Sequence, residues 1–377
     1  VGDGWTNGPF EPTLRDGKLY ARGVADDKGP TIAGYYALKI IKELGLPLSR
    51  RVRIIIGSDE ESGMSCVERY FETEEQPTLG FVPDAEFPII HAEKGISELD
   101  VSFKDGEAGG EAAFRLLSVE SGERYNMVPD HATAILEDVK DFDKVASAFK
   151  TFLANHPVEG TLEENGKSVK INIVGKSAHA MEPNNGVNAG LHLVAFLGKF
   201  KLTGAANDFV TFGRDYLFGD SRAVKLGISY EDAESGELTM NVGVIRYDVA
   251  EGGKYGLNFR YPVTASMDKL KNKMQTVVYE YNAQYTHYED SKPLFVPKDH
   301  PLIQVLQEVY TKQTGEEATL LAIGGGTYAR HMETGVAFGA LFPGREDTMH
   351  QKDEFSYFDD LLKATAIYAE ALYKLAK

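Results

Sequence analysis

Apolar and polar positions change rhythm twice along this chain. In the first ninety or so residues, strand-like runs alternate with helix-like ones. "TLRDGKLYARG" is a pair of short alternating segments around Asp16-Gly17, the pattern of a hairpin. "GPTIAGYYALKIIKELG" places Pro30 in a first helical turn and Gly45 just past a helix end. Its Ile32, Tyr35, Tyr36, Leu38, Ile40 and Ile41 spread over a broad face, which predicts a helix packed on a sheet. "RRVRIIIG" predicts a strand, "SCVERYFETEE" a helix, and "TLGFVPDAEFP" a short strand ending at Pro83-Asp84. Such alternation predicts an α/β fold whose mostly parallel central sheet is flanked by helices.

From about Glu93 the texture is that of alternating strands, Gly-rich turns and amphipathic helices. "VKDFDKVASAFKTFLANH" and "SMDKLKNKMQTVVYEYNAQ" read as helices, and "KSVKINIVGKSAHAMEP" reads as a strand entering a polar loop. Residues 94–290 are expected to form two α+β units. The α/β rhythm resumes over 291–377, with a helix near 302–313, the strand "TLLAI", the loop "GGGTYAR", the strand "VAFGALFPG" and a last long helix. The first domain, 1–93, is thus predicted to be interrupted by a second and then completed.

Composition narrows the partners. The 377 residues carry a formal charge of −17, which argues against nucleic acid or an anionic membrane surface as a partner. Cys66 is the only cysteine, so no internal disulfide is possible, and a reducing, cytoplasmic setting fits. No run approaches the ~18 apolar residues of a membrane span, and no signal peptide is visible. The start at Val1, in the middle of "VGDGWTNGPFEP", reads as an incomplete N-terminus.

Candidate chemistry collects at the predicted strand ends of the α/β parts: Asp26-Asp27, Glu60-Glu61, Asp84 and His350. In α/β sheets ligands gather beyond the carboxyl ends of the strands. Taken singly, an Asp ahead of a helix reads as a cap, a Glu pair as solvated surface and a lone His as packing. Gathered in one crevice, such carboxylates need protons or a cation, and a divalent metal is the economical solution. A histidine among them shifts the choice from Mg²⁺ or Ca²⁺ toward Zn²⁺, Mn²⁺ or Co²⁺. "GGGTY" offers a backbone nest but lacks the Lys-Ser/Thr of a P-loop.

The ordered motifs "ARGVADDKGP", "GSDEESG", "PDAEFP" and "MHQKDE" resemble those of the co-catalytic zinc peptidases, the superfamily of aminoacylases, desuccinylases and carnosinases. "NMVPD", "KSAHAMEPNNGVNA", "NFRYP" and "AIGGGTYAR" are similar to its dipeptidase V branch, also called Xaa-His or carnosinase-like dipeptidases, and the resemblance covers essentially the whole chain. It implies a catalytic domain interrupted by a large lid domain. It implies Asp26 as the carboxylate bridging two zinc ions, Glu61 and His350 completing one metal, Asp84 on the other, and Glu60 as general base. It also implies a cis peptide at Asp26-Asp27. A further His-x-Asp ligand motif of the family lies just ahead of "VGDGW", before the first residue of this chain. A longer natural protein is the expectation.

The same resemblance implies hydrolysis of dipeptides with a free C-terminal carboxylate, β-alanyl (carnosine-type) dipeptides among them. His179, on the lid, would steady the oxyanion. Arg260 would bind the substrate carboxylate, and Asn126, Gly324 and Gly325 would hold the rest. A lid of two units supplying its own His179 predicts a monomer. Lys28, Asp59 and Arg330 carry no assignment, and His91, His131, His156, His192, His287, His300 and His331 read as structural or surface. The rival readings are a carboxypeptidase, an aminoacylase or a desuccinylase, and a metal-free peptide-binding protein on the same scaffold.

Overall fold

The computed structural model describes residues 4–104 and 110–377. It resolves into two units, Val1–Glu93 with Leu294–Lys377, and Lys94–Pro293. Among the described residues no helix is long and apolar enough to cross a membrane.

In the first unit the expected hairpin forms between Thr13–Arg15 and Lys18–Tyr20. Asp16 and Gly17 both take positive φ (50° and 74°), as a tight primed turn requires. A third strand, Phe355–Tyr357, joins the hairpin antiparallel, with Tyr20 opposite Phe355, and so carries the end of the chain back to its beginning.

The helix Lys28–Glu43 buries a narrower stripe than its pattern implies. Pro30, Ala33, Ala37 and Ile41 are buried, while Ile32, Tyr35 and Tyr36 are about half exposed. The reason is the neighbour. Ala33 and Ala37 share a cluster with Ala364, Ile367, Tyr368 and Ala371 of the last helix, Phe358–Ala376, and two helices approach closely only across small side chains.

The sheet of this unit is mixed. Its centre is Ile89–Glu93, buried at all five positions. Leu320–Ile323 runs parallel to it, Leu294–Phe295 antiparallel, and Gly335–Ala337 meets it antiparallel at Ile90 while running parallel to Gly80–Val82. Phe87, 1% exposed, anchors the core here, with ring centroids 4.6 Å from Phe342, 5.1 Å from Phe338, 5.5 Å from Tyr310 and 5.9 Å from Tyr368.

The segment "RRVRIIIG" does not become a strand. A strand exists only as a member of a ladder, and no described segment pairs with residues 51–57. Ile56 is 76% exposed as a result. Arg53 is tied instead to the helix Ser65–Phe71 through a 2.6 Å bond to the Tyr70 hydroxyl.

The second unit is built on one antiparallel sheet of eight strands. The two α+β halves seen in the sequence share it, fused where Thr239–Asp248 pairs with Arg115–Ser121. The helix Phe142–Ala154 is capped by Asp141, whose side chain accepts from the Lys144 amide, and Ala189–Leu197 by Asn188. An apolar cluster holding Phe149, Phe152, Phe196, Phe209 and Phe212 fills the space between helices and sheet.

Candidate metal centre

Three successive acids, Asp59, Glu60 and Glu61, sit at the head of the short 3-10 turn Glu60–Ser62, and they do different work. Asp59 is spent on the backbone. Its carboxylate accepts from the Ser65 amide and hydroxyl and from the Cys66 amide (3.0 Å), and its carbonyl accepts from Ser62 and Met64. That lashing turns the next two side chains toward a cavity of about 1070 Å³ lined by Asp26, Asp27, Glu60, Glu61, Asp84 and Tyr328, among others. Gly57 permits the close approach of Tyr328, since a Cβ there would lie 2.1 Å from the Tyr328 hydroxyl.

Asp26 precedes the helix Lys28–Glu43, across a cis peptide to Asp27. His350 lies on the loop before Phe355–Tyr357, at φ 61°. The third strand of the hairpin sheet brings these two distant segments together. His350 Nε2 is 2.8 Å from Asp26 Oδ2 and 3.5 Å from Glu61 Oε1. One ligand atom from each of Asp26, Glu61 and His350 lies within 4.8 Å of the others. Asp84 follows the strand Gly80–Val82 and enters the same cavity, outside that trio.

Carboxylates this close resist ionisation. Burial first, then the charges of Asp27, Glu60 and Asp26, pushes Asp84 up to about 9. Burial pushes Asp27 up to about 8, against the lowering effect of its bond to Thr31 and with the help of Asp26 and Glu60. Glu60 rises to about 7, through burial and then Glu61 and Asp26, and Glu61 is raised for the same kind of reason. Asp27 Oδ1 is buried without a hydrogen-bond partner. This donor set, carboxylate oxygens with one imidazole nitrogen, fits a zinc-like divalent cation, whose charge would lower each of these raised values. A second trio, Glu98, His287 and Glu289, lies on the sheet of the other unit. Asn258 already donates to Glu98 there (3.3 Å).

The remaining candidates fall in two places. Gly324 and Gly325 follow the strand Leu320–Ile323, in a loop anchored by the fully buried Glu93, which accepts from the Thr327 amide (3.1 Å) and hydroxyl (2.7 Å) and faces Arg330 Nε at 3.4 Å. Of that loop, Tyr328 lines the cavity. His179, Asn126 and Arg260 belong to the second unit. His179 and Met127 form an antiparallel bridge, and the Ala180 amide donates to the Asn126 carbonyl at 2.8 Å. Arg260 is 5% exposed, its Nε bonded to Asn258 Oδ1 at 2.9 Å. His91 is buried with Nδ1 2.9 Å from the Val296 carbonyl, a packing histidine.

Two residues of the first unit escaped sequence reasoning, Glu354 and Glu93. Each is fully buried and bonded to backbone amides far away in the chain. No local spacing marks such a role, although Glu354 closes the "MHQKDE" motif.

The sequence model described as Peptidase family M20/M25/M40 matches residues 1–374. A protein of Bacillus subtilis (strain 168) named "Putative dipeptidase YtjP" is 50% identical over 377 residues, all of this chain and 80% of that protein. "Putative dipeptidase SSP1012" of Staphylococcus saprophyticus is 45% identical over 380 residues, with the same coverage. Among solved structures, aminopeptidase PepT from Bacillus cereus ATCC 10987 superposes with a TM-score of 0.55 at 16% identity, over 97% of this chain and 76% of that one. The aminoacylhistidine dipeptidase of Vibrio alginolyticus gives 0.54 at 13%, over 97% and 79%. Both are likenesses of fold.

Proposed function

The chain belongs to peptidase family M20/M25/M40, and on that premise we propose that it is a dinuclear, zinc-type dipeptidase acting on dipeptides with a free C-terminal carboxylate. What carries the reading is the convergence of Asp26, Glu61 and His350, with Asp26 and Glu61 lining, beside Glu60, a cavity of mutually repelling carboxylates. The two relatives named above, both called putative dipeptidases, support the substrate class.

In this reading Asp26, shared between two sites, would hold the cations with Glu61 and His350 at one and Asp84 at the other. When bound they would supply Lewis acidity toward the scissile carbonyl and a nucleophilic water near neutral pH. Glu60 does the proton work. Lining the cavity beside Asp26 and Glu61, it would take a proton from the attacking water and hand it to the leaving amine. His179 donates to the developing oxyanion. Arg260 pairs its planar fork with the substrate carboxylate, and Asn126, Gly324 and Gly325 hold the peptide backbone. Mn²⁺ or Co²⁺ would serve the same donor set. The active form is a monomer in the cytoplasm.

The test is a substrate panel on the chain reconstituted with Zn²⁺, Mn²⁺ or Co²⁺: α- and β-alanyl dipeptides, longer peptides, N-acyl amino acids and N-succinyl-diaminopimelate. Preference for dipeptides, lost on chelation and restored by metal, is expected. Equal or better turnover of acylated substrates overturns the substrate class, and activity untouched by chelation overturns the chemistry. Elution at twice the monomer mass on size exclusion would refute the monomer.

A further inference from the structure

We propose that Glu354 is a positioning residue that locks the Asp26 and His350 segments together, so that their ligand atoms stand at cation-binding distance. This rests on the reading of Asp26 and His350 as metal ligands.

The Glu354 side chain is wholly buried, out of reach of solvent. Its carboxylate is filled by four donors. Oε2 accepts from Arg22 Nη1 (2.7 Å) and the Gly23 amide (2.9 Å), and Oε1 from the amides of Ala25 (2.8 Å) and Asp26 (3.1 Å). Glu354 thus grips the turn that delivers Asp26 by three of its backbone N–H groups. The Arg22 guanidinium carries the connection onward. Its other arm donates to the carbonyl of Gln351, the residue after His350, at 2.9 Å. The His350 loop is also pinched shut, the Thr348 hydroxyl exchanging bonds with the Phe355 amide (3.1 Å) and carbonyl (3.2 Å). An unbroken run of bonds thus leads from the Asp26 amide through Glu354 and Arg22 to the Gln351 carbonyl, joining both ligand segments.

Only a carboxylate completes it. Each oxygen accepts two bonds, and a buried carboxylate with four donors is satisfied where an isolated one is not. Glutamine keeps the shape but has one acceptor oxygen, and its NH₂ would confront either Arg22 and Gly23 or Ala25 and Asp26. One segment would be released from the other.

Groups that orient metal ligands typically cost ~10–100-fold in metal affinity when substituted. The experiment measures Zn²⁺ affinity of the full chain against a chromophoric chelator, for the unsubstituted protein, Glu354→Gln and Arg22→Lys. Melting is followed with and without Zn²⁺. Expected are a ~10–100-fold weaker affinity in Glu354→Gln, a weakening in the same direction in Arg22→Lys, and a smaller Zn²⁺-dependent rise in Tm. A purely structural role would lower Tm equally with and without Zn²⁺ and leave affinity unchanged. Affinity within twofold of the unsubstituted chain overturns the proposal, and where Glu354→Gln does not fold, the same criterion applies to Arg22→Lys. An unsubstituted chain that binds no Zn²⁺ overturns the ligand reading itself.

Discussion

Loading the metal-stripped chain with Zn²⁺ should expel protons, and the cavity fixes how many. Without a cation, Asp84 titrates near 9, Asp27 near 8 and Glu60 near 7. At pH 7 these correspond to about one proton on Asp84, about nine-tenths on Asp27 and about half on Glu60. On the proposed roles, a bound cation would need Asp84 ionised as a ligand and Glu60 ionised as a base. Release from Asp84 and Glu60 is therefore about one and a half protons, with more where Asp27 and the raised Glu61 give theirs up as well. Affinity for Zn²⁺ should climb between pH 6 and 8 by more than tenfold per unit and level off above pH 9. Stability moves the other way without metal. All three folded values lie above their unfolded values near 4, so the metal-free fold is favoured below pH 4 and loses that contribution as pH rises through 7 to 9. Calorimetric titration at pH 7 in Pipes and in Tris, whose ionisation enthalpies differ widely, reads the proton count directly. Release of less than half a proton, or an affinity flat across pH 6 to 8, would refute the account of the cavity as proton-bearing carboxylates awaiting a cation.

The proposed roles and the packing carry other consequences. Glu60→Gln should lower kcat on a good dipeptide by ~10²–10⁴ with Zn²⁺ affinity within a few-fold, and steady-state kinetics beside chelator competition separate the two. Arg260→Lys should lower kcat/KM ~10–100-fold for free-carboxylate dipeptides, the worth of one charge-assisted bond, and much less for C-terminal amides; an equal loss on both would remove the residue from carboxylate recognition. Phe87→Ala should destabilise the first unit by about 3–5 kcal/mol, since the ring is 1% exposed among four aromatic neighbours. Urea unfolding followed by fluorescence checks it.

How far the molecule could be read in its sequence depends on how local each cause is. The Asp16-Gly17 hairpin was legible because two residues at positive φ specify it unaided. That Asp26, Glu61 and His350 lie together was expected from the family resemblance of their motifs, and local spacing alone would not have grouped residues so far apart in the chain. The fate of "RRVRIIIG" was not, because an apolar period says that a strand is possible, and only a partner makes one. The buried stripe of Lys28–Glu43 misled for a related reason. Tyr35 and Tyr36 outweigh Ala33 and Ala37 in hydrophobic area, but the last helix selects for small size.

The acids sharpen the point, since their chemistry is identical and their roles are not. Asp59 and Glu354 have every carboxylate oxygen occupied by N–H or hydroxyl donors. Glu60, Glu61 and Asp84 face the cavity, where burial and like charge raise them. Satisfaction by neighbours, which no spacing of acids reveals, separates carboxylates that build the site from carboxylates left ready to bind. The two classes are also coupled. Like charges crowded around Asp26 push their segments apart, and on the proposal above the fully bonded Glu354, holding the Asp26 amide, resists that push. The geometry that makes the cavity hungry for a cation is therefore held by an acid that cannot take one.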